Sequence, residues 1–433
     1  MLVIMLILLG TIFIGTPVAF GLGFVSVILI TFFLEPSQLM QIGSIAFSQG
    51  TSMNQLVAPL FILMAEALAQ GGIAKDIFTV LSKLLRRVKA GLALSTMLAS
   101  TIFAALCGSS PATAAAMGRI SISEMNQRGY RQDFATGVVA SGGTLGIMIP
   151  PSISLVIFGI ITENSIAKLF MAGVLPGLLL SGLLCLFIFL RVMLRPELIG
   201  QSGSVALPIS PKSRKHSGLI HDLLLIIPPL ILIGIVLGSL YTGITTPTEA
   251  AGFGAIGALI LVVLSGRMTL KKFTDMMSAT ARTSSMILFL IIGGMALSYV
   301  VSHLGVAQQI TDMIVGSGLN RWAVMILIYI FWFFLGCLMD PLSMIVLTVP
   351  FIYPAILALG FDPLWLGIVS TLCVEIGMIT PPVGLNLFVL KAITDVPMGR
   401  IMVGAFPFVL VLIVGLIIFS IFPQVALYLP SLM

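Results

Sequence analysis

The apolar positions of this chain fall in long unbroken runs that recur from one end to the other, with one polar interruption of any size, near residues 195 to 220. A helix needs about 20 apolar residues to cross a hydrocarbon core about 30 Å thick. On that basis the chain holds candidate spans at 1–15, 17–34, 45–69, 134–160, 169–194, 221–240, 248–265, 284–303, 364–390 and 401–428. Two further apolar stretches, 91–117 and 322–357, are broken in the middle by CGSSPATAAA and GCLMDPLSMI, whose Gly, Ser, Asp and Pro interrupt helical hydrogen bonding. These predict re-entrant helical hairpins that enter and leave on one face. After the third span, Ile73, Ile77, Leu81, Leu84 and Val88 recur at helical spacing with Lys and Arg opposite. That pattern suits a helix lying in the membrane interface; the alternative is a loop helix packed on the protein itself.

The two halves match at a nearly constant offset. GTLGIMIPPS, with Gly146, Pro150 and Pro151, corresponds to VEIGMITPPV, with Gly377, Pro381 and Pro382, a separation of 231 (377 minus 146). At the hairpin tips Cys107, Ser110, Pro111 and Thr113 correspond to Cys337, Asp340, Pro341 and Ser343 at 230, and Gly72-Ile73-Ala74 corresponds to Gly305-Val306-Ala307 at 233. The repeats are therefore 1–200 and 221–433, joined by a linker at 201–220.

Charge then gives their relative orientation. Lys83, Arg86, Arg87 and Lys89, followed by Arg119, Arg128 and Arg131, occupy loops whose second-repeat counterparts carry a single basic residue, Arg321. Arg267, Lys271 and Lys272 correspond to residues 35–44, which carry none. Cytoplasmic loops are rich in Lys and Arg, so corresponding loops lie on opposite sides and the repeats are inverted. Five spans and one non-crossing hairpin per repeat give the same inversion, a cytoplasmic linker and both termini outside. The N-terminal apolar stretch lacks the basic flank and cleavage site of a signal peptide and reads as a retained helix.

Composition narrows the class. Of 433 residues 59% are hydrophobic and 8% charged, against roughly 25% charged in soluble domains. The net charge of +6 sits mostly in short loops, where it reports orientation and not nucleic-acid binding. Cys107, Cys185, Cys337 and Cys373 form no C-x-x-C pair, and His216, His221 and His303 are far apart, so neither a zinc site nor a disulfide framework is indicated.

Inverted repeats built on broken helices place solute and coupling ions near the midplane. Freed backbone groups persist in hydrocarbon only where protein, water or a ligand supplies partners. Half-helix N-termini suit an anion and unwound carbonyls suit a hard cation. The solute-contacting residues expected on this basis are Ser109, Ser110, Thr113, Ser152, Asp340, Ser343 and Asn386, and the sodium-contacting ones are Ser110, Gly146, Pro150, Asp340, Ser343, Gly377 and Thr380. The competing reading makes each break an ordinary kink with hydroxyls bonded back to their own helix. Asp340 is the sole acid between two long apolar runs, which marks it as functional unless it is protonated or caps its helix. Glu249 reads as a helix cap, and for Glu375 and Glu66 structural and functional roles weigh equally.

AEALAQGGIA (65–74), CGSSPATAAAMG (107–118), GYRQDFATG (129–137), ASGGTLGIMIPPS (140–152), GITTPTEAAGFGA (243–255) and EIGMITPPVGLNLFV (375–389), in that order, closely resemble the large membrane subunit of the tripartite ATP-independent periplasmic (TRAP) transporters. The resemblance spans essentially the whole chain. It implies an all-α polytopic fold of the ion-transporter-superfamily kind, with an elevator mechanism in which a transport domain (about 91–194 plus 322–428) slides against a scaffold (about 1–90 plus 221–320). It also implies residence in a bacterial inner membrane, a small four-helix membrane subunit, a periplasmic solute-binding protein, an organic anion as solute and sodium, two ions or more, as coupling ion. C4-dicarboxylates, sialic acid, other sugar acids and keto acids all stay open, and no buried Arg is visible at either break to clamp a carboxylate. The alternatives are a stand-alone ion or proton exchanger of the same architecture, which would place several acids in the core, and an intramembrane hydrolase. Hydrolysis needs a Ser beside a base or paired aspartates, and His303 lies well outside both breaks. The chain is therefore expected not to be an enzyme.

Overall fold

The computed structural model describes residue 10 and residues 16–200 and 219–433. The expected span at 1–15, nearly all of the linker and the placement of the N-terminus lie outside the described residues. Among the described residues the structure is helical, with no strand. The first repeat comprises α1 (Val18–Phe33), α2 (Leu39–Thr51), α3 (Val57–Gln70), α4 (Ile73–Leu84), α5 (Gly91–Cys107), α6 (Ser110–Gln127), α7 (Gln132–Met148), α8 (Ile153–Thr162) and α9 (Ile166–Leu194). The second comprises α10 (Leu219–Tyr241), α11 (Pro247–Leu264), α12 (Leu270–His303), α13 (Val306–Gly316), α14 (Arg321–Gly336), α15 (Pro341–Ala358), α16 (Pro363–Met378), α17 (Leu385–Ile393) and α18 (Met398–Ile421).

Both hairpins form, as α5–α6 and α14–α15, and both Pro-Pro segments interrupt a crossing helix, between α7 and α8 and between α16 and α17. Two spans differ from expectation. The segment 45–69 is not one helix: it breaks at Ser52, which is extended, and resumes through a short 3-10 turn, Met53–Leu56. Pro59 has no N–H to continue a helix from upstream, but fits the first turn of a new one, where no donor is required. Its counterpart is Ile291 (291 minus 59 is 232), and there α12 runs unbroken for 34 residues. The second correction is the start of α12, which lies at Leu270 and not at 284. Thr269 caps it by accepting from the Lys272 N–H at 3.3 Å, and no Gly or Pro follows to stop the polar first turns from continuing into the apolar ones. Glu249 completes a capping box with Thr246 at the start of α11.

Helix α12 also shows the inversion. At its first end Arg267 pairs with Asp76 through both guanidinium nitrogens and donates to the Gly71 carbonyl at 3.1 Å. Near its other end the Tyr299 hydroxyl stands 3.5 Å from Gln38. From Leu270 to Tyr299 the helix rises about 44 Å, so the α11–α12 loop and its counterpart, the α1–α2 loop, lie at opposite faces. Across the repeats, α12 packs along α1 and α3 packs along α11. Large apolar side chains such as Phe20, Phe24, Ile231, Ile235, Phe253 and Ile260 remain exposed on α1, α10 and α11, the composition a hydrocarbon surround requires.

Candidate functional site

Each repeat stitches its hairpin tip to its own broken helix. In the first, the Ile153 N–H, at the start of α8, donates to the Gly108 carbonyl at 3.4 Å. In the second, the Gly384 N–H, just before α17, donates to the Cys337 carbonyl at 3.1 Å. Pro150–Pro151 and Pro381–Pro382 are both cis and sit at the same place in the two repeats. The close approach depends on glycines, Gly146 and Gly377 among them. A β-carbon on Gly146 would lie 2.5 Å from the Ser109 carbonyl oxygen and 2.8 Å from Thr113 Oγ1; on Gly377 it would lie 2.5 Å from the Gly336 carbonyl carbon and 2.7 Å from the Cys337 nitrogen. Any other residue would push α7 or α16 off its hairpin.

The structure distributes the expected residues in two sets with one crossing. Ser109, Ser110, Thr113, Gly146, Pro150 and Ser152 gather at the first break, where Ser152 Oγ caps α8 by accepting from the Leu155 N–H at 3.4 Å. At the second, Asp340 bonds to Ser343, Gly377 packs on Gly336 and Cys337 of the hairpin, and the Thr380 hydroxyl donates back to the Ile376 carbonyl of its own helix at 2.6 Å. Asn386, from α17, crosses to the first set: its Nδ2 donates to Ser110 Oγ at 2.8 Å. Ser110 Oγ in turn donates to Glu375 Oε2, from α16, at 2.9 Å. Ser110, Glu375 and Asn386 are all fully buried. They form the polar seam where the first hairpin meets the broken helix of the other repeat.

Asp340 stands outside this seam. Its Oδ1 accepts from the Leu342 and Ser343 N–H groups, each at 3.0 Å, and its Oδ2 accepts from the Ser343 hydroxyl in a short bond. It is therefore the N-cap of α15, with its charge stabilised by the helix it begins. Glu375 is the residue that sequence reasoning undervalued. The signal was present, since Glu375 is also a lone acid between apolar runs, but nothing in the order of residues showed that it would meet Ser110. Its counterpart is Thr144 (375 minus 231), whose hydroxyl donates to the Ser141 carbonyl at 2.6 Å; no acid stands at that position in the first repeat.

The donor set is oxygen throughout. Thr113 Oγ1, Glu375 Oε1 and Asn386 Oδ1 are buried and have no hydrogen-bond partner, and hydroxyls, amide oxygens and carboxylates are the ligands of hard cations. Among the described residues no three His, Cys, Asp or Glu side chains gather as a transition-metal site requires. At the first break the Ser109 carbonyl and the Thr113 hydroxyl, oxygen groups of the kind hard cations take, converge closely on Gly146.

Two cavities away from the seam residues are lined by polar groups. One, of about 310 Å³, lies between the α2–α3 break and the end of α8 and is lined by polar groups that include Gln49, Asn54, Gln55, Glu163 and Asn164. The other, of about 530 Å³, lies between the starts of α7 and α18 and is lined by Arg131, Gln132, Asp133 and Arg400. The second holds an internal ion pair, Arg131 to Asp133 at 2.6 Å.

The family model described as "Tripartite ATP-independent periplasmic transporter, DctM component" matches residues 3–425. The C4-dicarboxylate TRAP transporter large permease protein of Pseudomonas aeruginosa is 35% identical over 398 residues, covering 92% of this chain and 91% of that protein. The sialic acid TRAP transporter large permease protein of Vibrio cholerae is 30% identical over 426 residues, covering 98% and 97%. The ectoine/5-hydroxyectoine TRAP transporter large permease protein of Ruegeria pomeroyi is 31% identical over 406 residues, covering 91% and 92%. In three dimensions the chain shares the fold of the YdaH transporter of Alcanivorax borkumensis, with a TM-score of 0.62 at 14% identity, over 92% of this chain and 89% of that one.

Proposed function

This chain belongs to the DctM-component family of tripartite ATP-independent periplasmic transporters, and on that premise we propose that it imports a small organic anion by sodium-coupled elevator movement. It is a large permease subunit, a multi-pass membrane protein and not an enzyme. The observation that carries the finer reading is the buried seam of Ser110, Glu375 and Asn386, which joins the two repeats beside both helix breaks. A solute carboxylate would meet the N-terminal ends of α6 and α15 and the hydroxyls of Ser109 and Ser343, with Ser152 at the start of α8. The sodium-holding residues are the Ser109 carbonyl, Ser110, Thr113, Gly146 and Pro150 at one break and Ser343, Gly377 and Thr380 at the other.

Bound sodium supplies positive charge that offsets the solute carboxylate and the acids of this chain in a low-dielectric interior. Each net positive charge carried inward gains about 2.3 kcal/mol per 100 mV of membrane potential, so coupling to more sodium charge than the solute carries drives accumulation. In this reading α5–α9 and α14–α18 move as a unit against α1–α4 and α10–α13. The face bearing Arg267, Lys271 and Lys272 is cytoplasmic by its basic loops.

A small membrane subunit and a periplasmic solute-binding protein complete the system. The relatives are named for C4-dicarboxylates, sialic acid and ectoine, and the solute-binding protein is the component expected to select among such compounds. The test is uptake of labelled solute by proteoliposomes containing all three components. A sodium gradient is expected to be required; undiminished uptake with potassium in its place would refute sodium coupling.

A further inference from the structure

The seam contains more oxygen than its hydrogen bonds use. A serine hydroxyl has one proton to give, and that of Ser110 goes to Glu375 Oε2 while its oxygen accepts from Asn386 Nδ2. Glu375 Oε1 and Asn386 Oδ1 are left with no donor, on side chains that are both 0% exposed. Among the described residues no Lys, Arg or His pairs with Glu375: the ion pairs are Arg128 with Glu124, Arg131 with Asp133 and Arg267 with Asp76. A buried carboxylate without counter-charge is strongly disfavoured unless a cation joins it.

From this juxtaposition we infer that Glu375 and Asn386, positioned by Ser110, form a sodium site in the seam between the repeats, additional to the ones at the two helix breaks. The inference rests on the sodium-coupled reading above and extends it to a third position. The sites at the breaks are made of carbonyls and hydroxyls around Gly146 and Gly377. The seam site is different in kind, because it sets a carboxyl oxygen of Glu375 beside an amide oxygen of Asn386, both buried and without a hydrogen-bond donor. Asp340 has its charge taken up by the α15 N-terminus, which leaves Glu375 as the acid beside the tips whose charge its own helix does not absorb. A cation held on Glu375 and Asn386 sits where their hydrogen bonds to Ser110 join residues 265 and 276 positions apart. It would fasten the first hairpin to α16 and α17, so that cation loading and assembly of the solute pocket become one event.

The test is equilibrium binding of radioactive sodium to the full-length chain in lipid nanodiscs, alongside its melting temperature in sodium and in potassium. Glu375→Gln removes the charge and keeps the shape; Asn386→Ala removes the amide oxygen and leaves the carboxylate. Each variant is expected to bind one sodium fewer than wild type, or to need about tenfold more sodium for the same binding; in potassium Glu375→Gln is expected to melt at or above the wild-type temperature, and Asn386→Ala, which loses its bond to Ser110, below it but still in one cooperative transition. The melt in potassium reports folding independently, and if Glu375→Gln does not fold, Asn386→Ala carries the test. Sodium binding by both variants equal in number and midpoint to wild type would overturn the seam site. Absence of any sodium binding by wild type would instead overturn the sodium-coupled reading on which it rests.

Discussion

The two hairpin tips occupy equivalent places in the repeats and solve the same packing problem, yet they direct their polar groups oppositely. At the first tip Ser110 turns away from its own helix and joins Glu375 and Asn386 of the other repeat. At the second, Asp340 and Ser343 bond to each other and to the first turn of α15, and the tip's cross-repeat link lies further along, where the Asn164 Nδ2 donates to the Tyr353 hydroxyl at 2.8 Å. The first hairpin is tied to its neighbour at the tip; the second is closed on itself at the tip and tied along its shaft. An inverted repeat therefore preserves backbone geometry while side chains divide the labour: Ser110 stands where the other repeat has Asp340, and Glu375 where the other has Thr144.

The shared part of that comparison is the most fragile. Gly146→Ala and Gly377→Ala each drive a methyl into hairpin backbone, and each is expected to cost about 1–3 kcal/mol or more of stability and to abolish uptake. Gly182→Ala, with nothing within 4 Å of the added carbon, should leave the melting temperature unchanged. If Gly146 or Gly377 tolerates alanine as Gly182 does, the tips are not packed as described.

The divergent part is tested by removing one side chain from each tip. Ser110→Ala leaves both Glu375 Oε2 and Asn386 Nδ2 without their partner in a fully buried place, an expected loss of about 1–3 kcal/mol. Asp340→Ala removes a cap from a partly exposed helix start, with an expected loss of about 1 kcal/mol. Melting of the two variants side by side checks the order, and a larger drop for Asp340→Ala would reverse the assignment of which tip is tied across the repeats. The smallest effect belongs to Tyr353→Phe, which removes the hydroxyl that Asn164 meets and is expected to cost about 0.5–1.5 kcal/mol. A double variant with Asn164→Ala should cost less than the sum of the two single variants, because the shared bond is lost once, while Asn164→Ala by itself also loses its bonds to Thr162.

Span order, both hairpins, the inversion and the family were legible in the sequence because each depends on local composition or on a pattern that repeats at a fixed offset. Hydrocarbon demands long apolar runs, broken helices demand Gly and Pro, and loop charge follows sidedness. Even the break at Ser52–Leu56 had local causes, in Pro59 and in the polar stretch SQGTSMNQ (48–55) that precedes it. The helix-capping roles of Asp340 and Glu249 were visible as possibilities for the same reason, since a cap involves residues within one turn.

The seam was decided only by the tertiary structure. Ser110 and Glu375 lie 265 positions apart and Ser110 and Asn386 lie 276 apart, and neither meeting follows from the offset, because both join non-equivalent positions of the two repeats. Sequence pseudosymmetry relates each residue to its counterpart, Ser110 to Asp340 and Glu375 to Thr144. Which residue touches which across the interface is set by how α6 packs on α17 and α7. A lone acid in an apolar run announces that its charge must be met; only the packing of distant helices decides by what.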